Sequence, residues 1–246
     1  MQRLILPVLS IAIAFVPGVA SAGQQPTQPG WPQPINSNPV LSYNLIDQLE
    51  ERLGDGASSL RWDAQGWVGN NKHKFWYKTE GETNGSLTEE AELQALYDHP
   101  VSRYFDVQAG VRYDFDPSPS RGWAAFGIQG LAPYFFDIEA TAFVSNDGYS
   151  AARFIAEYDW LFTQRLILQP EIEANLYSKS DPRRRVGAGL SDLDVGLRLR
   201  YEISRKFAPY VGLAYEHKYG VTADYAHADG DPVHQLRFVV GIRAWF

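Results

Sequence analysis

Residues 234–246 read His-Gln-Leu-Arg-Phe-Val-Val-Gly-Ile-Arg-Ala-Trp-Phe, and this stretch decides the fold class. Every second residue is apolar: Leu236, Phe238, Val240, Ile242, Ala244 and Phe246. That is the period of a β-strand with one apolar face. Backbone groups in lipid have no water to bond to, so strands cross a bilayer only as a closed barrel. Such a strand, in a chain that begins with an export leader, is typical of a bacterial outer-membrane β-barrel.

The first 22 residues have the three parts of a secretory signal peptide. Arg3 supplies the positive charge, residues 4–16 form an apolar run with Ser10 as its one polar residue, and Ala20-Ser21-Ala22 predicts cleavage before Gly23. An apolar run of this length is too short to span a bilayer. No later stretch approaches 18 apolar residues. Hydropathy therefore leaves two classes open, an exported soluble protein and a barrel.

Charge and sulfur content exclude several partners. The chain carries 22 Lys and Arg against 29 Asp and Glu, for a net charge of −7. Nucleic acid is therefore not an expected partner. There is no Cys, and the single Met is residue 1, so the mature chain has neither disulfides nor thioether ligands for a soft metal ion. Aromatic residues make up 14% of the chain, a bias expected at membrane interfaces, although soluble sandwiches show it too.

The chain divides into three predicted parts, a signal peptide (1–22), a short disordered periplasmic tail (23–39) and a barrel domain (40–246). The tail is rich in Gln, Pro and Asn. Alternating runs bounded by turn signals fill most of the rest. They are residues 59–68, 73–82, 86–98, 103–115, 121–131, 134–145, 150–161, 165–178, 190–203, 207–219 and 234–246. Pro170 and Pro209 lie inside two runs and predict bulges or shortened strands there.

Residues 41–53 are the ambiguous segment. Leu41, Leu45, Leu49 and Leu53 recur every four residues, which by local pattern favours an amphipathic helix. Single-chain bacterial barrels, however, have an even number of strands with both termini in the periplasm. Eleven runs need a twelfth, so we predict that residues 42–52 form the first strand. The predicted fold is an all-β, up-and-down antiparallel transmembrane barrel of about 12 strands, with a soluble sandwich as the alternative.

Loop lengths predict the orientation of this barrel. With a periplasmic carboxyl end, the long connections at 115–121, 178–190 and 219–234 fall outside, and the short ones fall inside, which is the usual asymmetry. Aromatic residues near strand ends, among them Trp123 and Tyr177, predict interfacial girdles. The basic loop Asp181-Pro182-Arg183-Arg184-Arg185 is a candidate contact for lipopolysaccharide, although a solvated loop fits it as well.

Acidic residues on the polar face of the strands are candidate metal ligands in the lumen. Carboxylates without sulfur favour divalent ions over a soft monovalent one. The alternative is that most of them belong to a structural ionic network, since narrow barrels commonly fill their interior in this way. The candidates are Asp63, Glu80, Asp106, Asp137, Glu139, Glu157, Glu171, Glu173, Asp192 and Asp194.

A second candidate metal site lies on and around the longest outer loop. Imidazole with carboxylate suits Cu(II) or a similar divalent ion. Its residues are His217, Asp224, His227, Asp229, Asp231 and His234, although a merely soluble loop also fits. The chain has no HExxH motif, which argues against a zinc hydrolase. Ser145, Ser178 and Ser191 lie near strand ends without a histidine on the lumen face, so we expect no enzyme.

Several short runs along the barrel domain form a recognisable set. They are Trp62-Asp63-Ala64-Gln65-Gly66-Trp67, Lys78-Thr79-Glu80-Gly81-Glu82, Gln129-Gly130-Leu131-Ala132-Pro133-Tyr134, Leu166-Ile167-Leu168-Gln169-Pro170, Gly189-Leu190-Ser191-Asp192-Leu193, Phe207-Ala208-Pro209-Tyr210-Val211 and Trp245-Phe246. Together these runs resemble the copper resistance protein B family over about residues 40–246. The resemblance implies an outer-membrane barrel in copper tolerance, with copper as its cargo and a periplasmic multicopper oxidase as a partner.

One departure from the family pattern concerns copper binding. Family members often carry a Met- and His-rich segment ahead of the barrel, whereas residues 23–39 contain neither residue. Copper is then handled by oxygen and nitrogen groups of the barrel and loops, or direct binding has been lost. We expect a monomeric outer-membrane barrel that binds or passes copper ions. The competing interpretation is a passive small-solute pore or structural barrel without metal chemistry.

Overall fold

The computed structural model describes residues 38–54, 58–85 and 87–246. The predicted signal peptide and nearly all of the predicted tail lie outside the described residues. Within the described part, no helix combines the length and the apolarity needed to cross a membrane.

The described strands form one antiparallel sheet that closes on itself. Each long strand pairs with the next long strand along the chain, and the last, β13 (His234–Trp245), pairs with β1 (Leu41–Leu53). The short strand β9 pairs with β10 beyond the end of β8. Because β8 and β9 together occupy one position in the sheet, the closed barrel has twelve strand positions. The strands are β1 Leu41–Leu53, β2 Ser58–Gly69, β3 Lys74–Asn84, β4 Leu87–Pro100, β5 Phe105–Asp116, β6 Arg121–Leu131, β7 Asp137–Ser145, β8 Ser150–Glu157, β9 Trp160–Leu161, β10 Leu166–Tyr177, β11 Gly189–Tyr201, β12 Phe207–Lys218 and β13 His234–Trp245. The predicted twelve-stranded barrel is confirmed.

The ambiguous segment is strand β1, which pairs with β2 along its whole length. A spacing of four residues fits both structures, because four is also a multiple of the two-residue strand period. The register shifts just after Ile46, so Leu45 is buried inside the barrel whereas Leu49 and Leu53 are exposed outside. A bulge of this kind reverses the face that side chains take.

Polarity across the barrel wall is the reverse of that in a soluble protein. On β5, Asp114 is 1% exposed and Arg112 is 9% exposed, whereas the neighbouring Val111 is 60% exposed. An apolar outer face and a polar interior characterise membrane-spanning barrels. Glu51 is an exception, because it is exposed on the outer wall between Leu60 and Val240.

The two prolines interrupt the pairing beside them, but β10 and β12 run through Pro170 and Pro209 without the bulge or shortening that the sequence predicts. Glu157 pairs with Glu171 and Trp160 with Leu168, and the unpaired break between β8 and β9 faces Pro170. The pairing between β11 and β12 ends at Tyr210, the residue that follows Pro209 in the chain. Proline lacks the N–H that a ladder needs.

Two aromatic residues do not lie where the sequence predicts. Trp123 is 4% exposed and faces the lumen, where its indole Nε1 donates to Asp114 Oδ2 at 2.9 Å. Tyr177 packs on the same interior cluster, which also contains Leu96 and Phe143. Their assignment to an outer girdle is therefore wrong. Trp123 shares its face of β6 with Arg121 and Gln129, so the two-residue period places it inside, whereas the girdle assignment followed residue type and position near a strand end.

The barrel has two different rims. Connections on the short-loop rim are residues 70–73, 101–104, 132–136, 162–165 and 202–206, and the one at 132–136 holds a 3₁₀ turn, Pro133–Phe135. The long-loop rim carries the loops 178–188 and 219–233; the connection expected at 115–121 is only residues 117–120. Loop 219–233 contains a helix that the sequence analysis did not predict, α1 (Gly220–Asp229), which ends at Gly230 with φ +82°.

Candidate ion-binding lumen

An arginine in the middle of the bore gathers three carboxylates from three strands. The Arg153 guanidinium on β8 donates two hydrogen bonds of 3.1 Å to Glu92, pairs with Glu80, and lies 3.4 Å from Glu173. All four side chains are largely buried. We call Glu80, Glu92, Arg153 and Glu173 the Arg153 septum. Forked pairs of this kind are the strong, directional form of the ion pair.

A second group of ion pairs packs beside the septum towards β1. Arg198 donates to Glu50 at 2.9 Å and to Glu171 at 2.8 Å, and Arg52 donates to Glu50 at 2.9 Å and to Asp194 at 2.9 Å. Glu50 is 1% exposed and both arginines are 2% exposed or less. Each charge is satisfied by several partners, which offsets the cost of removing it from water. These residues link β1 to β10 and β11 through the interior of the barrel.

The septum divides the lumen into two cavities. Its four residues line both. The cavity at the short-loop rim, which we call the short-loop vestibule, has a volume of about 420 Å³. Among the described residues, ten carboxylates and four basic side chains line it. The cavity at the long-loop rim has a volume of about 540 Å³, and its described lining is closer to balance, with twelve carboxylates and nine basic side chains. The anionic excess is therefore concentrated at one end.

Two acids of the short-loop vestibule have neither an ion pair nor a hydrogen bond among the described residues. Within the described part of the chain, the carboxyl groups of Asp63 and Asp137 have no hydrogen-bond or salt-bridge partner. Both line the vestibule. Nearby acids are partly neutralised: Lys78 contacts Glu139 at 2.5 Å and Arg243 contacts Asp47 at 2.9 Å. Asp63 and Asp137 are thus the carboxylates most available to a cation from water.

The predicted lumen acids all face the interior, but they differ in partners. Six of the ten form ion pairs with Arg or Lys, which fits the structural interpretation for most of them: Glu80, Asp106, Glu139, Glu171, Glu173 and Asp194. Glu157 and Asp192 accept hydrogen bonds from the amides of Gln169 and Asn175. Asp47 is a vestibule acid that the sequence analysis missed. The bulge in β1 changes the side of the sheet that its residues take, so simple alternation does not predict where Asp47 points.

The predicted outer-loop residues are spread over three places. His217 and His234 face each other across β12 and β13 with ring centroids 6.0 Å apart. Asp224 and His227 lie on α1, where the sequence gives no sign of a helix. Asp229 pairs with Arg185 at 2.5 Å, and Asp231 lines the long-loop cavity. Among the described residues, no three His, Asp or Glu side chains are placed to hold a metal ion together.

The basic loop 178–188 reaches into the long-loop mouth. Arg184 donates to Asp114 on β5 at 2.7 Å, and both side chains are buried. Arg121 donates to Asp181 at 2.7 Å. Burial raises the pKa of Asp181, but the hydrogen bond and charge of Arg121 outweigh burial and leave that pKa below its ordinary value. Arg184 is therefore a lumen residue rather than a free lipid contact.

Comparison with known proteins gives the family. The family model described as "Copper resistance protein B precursor (CopB)" matches residues 40–246. The copper resistance protein B homolog of Pseudomonas syringae pv. tomato (strain ATCC BAA-871 / DC3000) is 49% identical over 212 residues, which is 86% of this chain and 72% of that protein. Copper resistance protein B of Escherichia coli is 48% identical over the same shares. The chain belongs to the copper resistance protein B family.

Solved structures support the fold of this copper resistance protein B family member. A KdgM porin matches 84% of this chain and 99% of its own, with a TM-score of 0.52 and 13% identity. A NanC porin matches 80% of this chain and 98% of its own, with a TM-score of 0.55 and 11% identity. At such low identity the likeness concerns the barrel fold alone.

The described lining of the lumen in this family member offers a metal ion oxygen ligands only. The short-loop vestibule combines Asp and Glu carboxylates with Gln65, Gln94 and Gln129, and its wall holds no thiol or thioether. Such a lining suits a divalent ion that retains part of its water shell. It provides a charged entrance rather than a preformed coordination cage.

Proposed function

We propose that this protein is an outer-membrane barrel that takes up copper ions in the short-loop vestibule and so contributes to copper tolerance. The proposal rests on the excess of carboxylates over basic groups in that cavity. A cleft lined by one sign of charge in low-dielectric walls concentrates the opposite ion. Membership of a copper resistance family is the reason that we propose copper as the ion.

Asp63 and Asp137 are the residues that we assign to ion capture. They belong to β2 and to the start of β7, and their carboxyl groups have no ion-pair partner among the described residues. Short turns are periplasmic in bacterial barrels, so the vestibule would open to the periplasm. A periplasmic multicopper oxidase is the partner class that we propose at this rim, and we propose that the barrel works as a monomer.

The septum supports a second candidate function. Arg153 and its three carboxylates lie between the two cavities, so an ion crosses the bore only if these contacts part. A barrel that remains closed would bind ions without passing them, or would serve a structural role. The ion-passing barrel and the closed barrel have the same fold and differ only in whether ions cross the bore.

The test is Cu(II) binding and Cu(II) flux measured on the purified full chain in liposomes. We expect Asp63→Asn/Asp137→Asn to weaken the binding of Cu(II) to oxygen ligands at least about tenfold, because it removes two charges from the vestibule. The matched control Asp224→Asn/Asp231→Asn removes two charges from the long-loop rim and should bind Cu(II) normally. Equal binding by the vestibule variant and the wild type would refute capture by these acids.

Flux then separates the candidates. Cu(II) entry that falls in the vestibule variant supports passage, whereas binding without entry supports the closed barrel. Equal entry of Cu(II) and an uncharged sugar of similar size would indicate a passive pore.

A further inference from the structure

Four of the five histidines in the chain form two cross-strand pairs on the outer wall, one pair at each rim. His217 and His234 occupy the long-loop rim. His73, which precedes β3, lies beside His99 of β4, one step beyond the register pair Lys74 and Asp98. The His73 and His99 rings are stacked with centroids 5.4 Å apart. This second pair lies at the short-loop rim, outside the lumen, and the sequence analysis gave it no role.

The His73–His99 pair is held by neighbouring groups at one nitrogen of each ring. His99 Nδ1 lies 2.8 Å from the carbonyl oxygen of Lys72. A carbonyl only accepts, so this nitrogen carries the proton and Nε2 keeps its lone pair. His73 Nδ1 bonds to the Tyr97 hydroxyl, which accepts from that nitrogen in the matching tautomer. Neither Nε2 atom has a hydrogen-bond partner within the described ranges of the chain.

The backbone around His73 is fixed as well. Asn70 Oδ1 accepts hydrogen bonds from the backbone N–H groups of Lys72 and His73, at 2.9 and 3.0 Å. The Asn70 N–H donates to the His73 carbonyl at 2.9 Å. This turn holds the exposed His73 imidazole against the half-buried His99 imidazole, so the segment is already ordered before an ion binds. A site that is ordered in advance loses less entropy when it binds.

We infer that His73 and His99 form a surface site for a divalent transition-metal ion of the Cu(II), Ni(II) or Zn(II) class, bound through the two Nε2 atoms. A metal-bound imidazole nitrogen lies about 2.0–2.1 Å from the ion, so two rings on one tetrahedral ion have centroids roughly 5 Å apart. The observed centroid distance of 5.4 Å matches this separation. Metal-binding histidines typically donate their other ring N–H to an oxygen, as His99 does to the Lys72 carbonyl and as His73 does in the tautomer whose Nδ1–H faces Tyr97.

The remaining coordination positions of such an ion would hold water, because no third His, Asp or Glu completes a cage among the described residues. An ion with open positions exchanges readily with another protein or with the nearby mouth of the barrel. The inference does not depend on the proposed function, since the pair lies outside the lumen and contributes nothing to the vestibule lining.

The long-loop pair provides a matched comparison within the same chain. Its ring centroids are 6.0 Å apart, and the His217 ring lies 4.4 Å from the Tyr219 ring. His217 Nδ1 is 3.2 Å from the Tyr215 hydroxyl. His234 has no orienting hydrogen bond in the described part of the chain. Only the His73–His99 pair therefore has both rings held.

The test is a Cu(II) titration of the untagged full chain in detergent, followed by electron paramagnetic resonance. We expect one equivalent of Cu(II) coordinated by two nitrogens. His73→Gln/His99→Gln should abolish that signal, and His217→Gln/His234→Gln should keep it. Tyr97→Phe should weaken binding about tenfold, because oxygen partners that orient a ligand contribute roughly that much. The same spectrum from His73→Gln/His99→Gln and the wild type would overturn the site, as would the absence of nitrogen coordination in the wild type.

The vestibule variant separates this site from the proposed function. Asp63→Asn/Asp137→Asn should keep the nitrogen-coordinated signal, because neither aspartate belongs to the pair. Loss of the nitrogen signal in this variant would show that the ion binds in the lumen and would refute the surface site. Wild-type flux in His73→Gln/His99→Gln would leave the vestibule proposal standing on its own evidence.

Discussion

Arg153 is the residue on which the centre of the barrel depends. Its guanidinium is the common partner of Glu80, Glu92 and Glu173, and its side chain is 8% exposed. Without it, Glu80 loses its one ion pair among the described residues and all three carboxylates lose a shared cation. Breaking a buried pair by removing one partner is more costly than never having formed it.

We expect Arg153→Leu to lower the free energy of unfolding by about 3–5 kcal/mol, because it leaves buried carboxylates uncompensated. Urea unfolding of the full chain in detergent or lipid vesicles measures this loss. The matched control is Arg185→Leu, since the Arg185 side chain is 52% exposed in its pair with Asp229. An exposed pair is worth about 0–1 kcal/mol. Equal losses in the two variants would contradict a structural role for the septum.

At the scale of elements, loop 178–188 acts as a partial cover held by two ion pairs. Asp181 binds Arg121 at 2.7 Å and also accepts a hydrogen bond from the Arg183 backbone N–H at 3.1 Å. Arg184 extends the loop into the lumen as far as Asp114. The loop is therefore anchored to β5 and β6, which come much earlier in the chain.

The lowered pKa of Asp181 predicts how this cover responds to acid. A carboxyl whose folded pKa is lowered stabilises the fold fully above its ordinary pKa of about 3.9, and loses that effect as the pH falls through the lower folded value. We expect a spin label at Arg183→Cys, in a chain without other cysteines, to stay ordered from pH 7 to about pH 4 and to become mobile below it. Adding Asp181→Asn should make the label mobile at every pH. A label that is mobile in the parent at pH 7 would contradict the anchor.

At the scale of the whole molecule, closure of the sheet between β1 and β13 makes the barrel. Val240 pairs with Glu51 on one side and with Val211 on the other. Its N–H belongs to one of these two ladders, and proline removes that donor. We expect Val240→Pro to prevent closure, so that the compact form which resists detergent at room temperature disappears from gel electrophoresis. Val240→Thr keeps the N–H and the β-branched shape and should migrate as the wild type. A normal compact band from Val240→Pro would contradict the assigned seam.

Much of the lumen face could be predicted from sequence because alternation is local. Asp106, Arg112 and Asp114 on β5 face the interior, as their two-residue period predicts. The prediction failed at Trp123, where residue type was followed instead of the face that this residue shares with Arg121 and Gln129. It also missed Asp47, since a single shift of register reverses the face of a side chain. Helix α1 was missed because the loop pattern contains no apolar stripe.

The sequence by itself determined the twelve strands, the polar bore and the family, because strand period and short motifs are properties of neighbouring residues. Only the tertiary structure decided which charges meet. Arg153 pairs with Glu92, which is 61 positions away in the sequence, and Arg198 pairs with Glu50, which is 148 positions away. The same closure divides the lumen into two cavities and leaves Asp63 without an ion pair in the described chain. Those pairings follow from strand register around a closed sheet, which no local pattern of residues specifies.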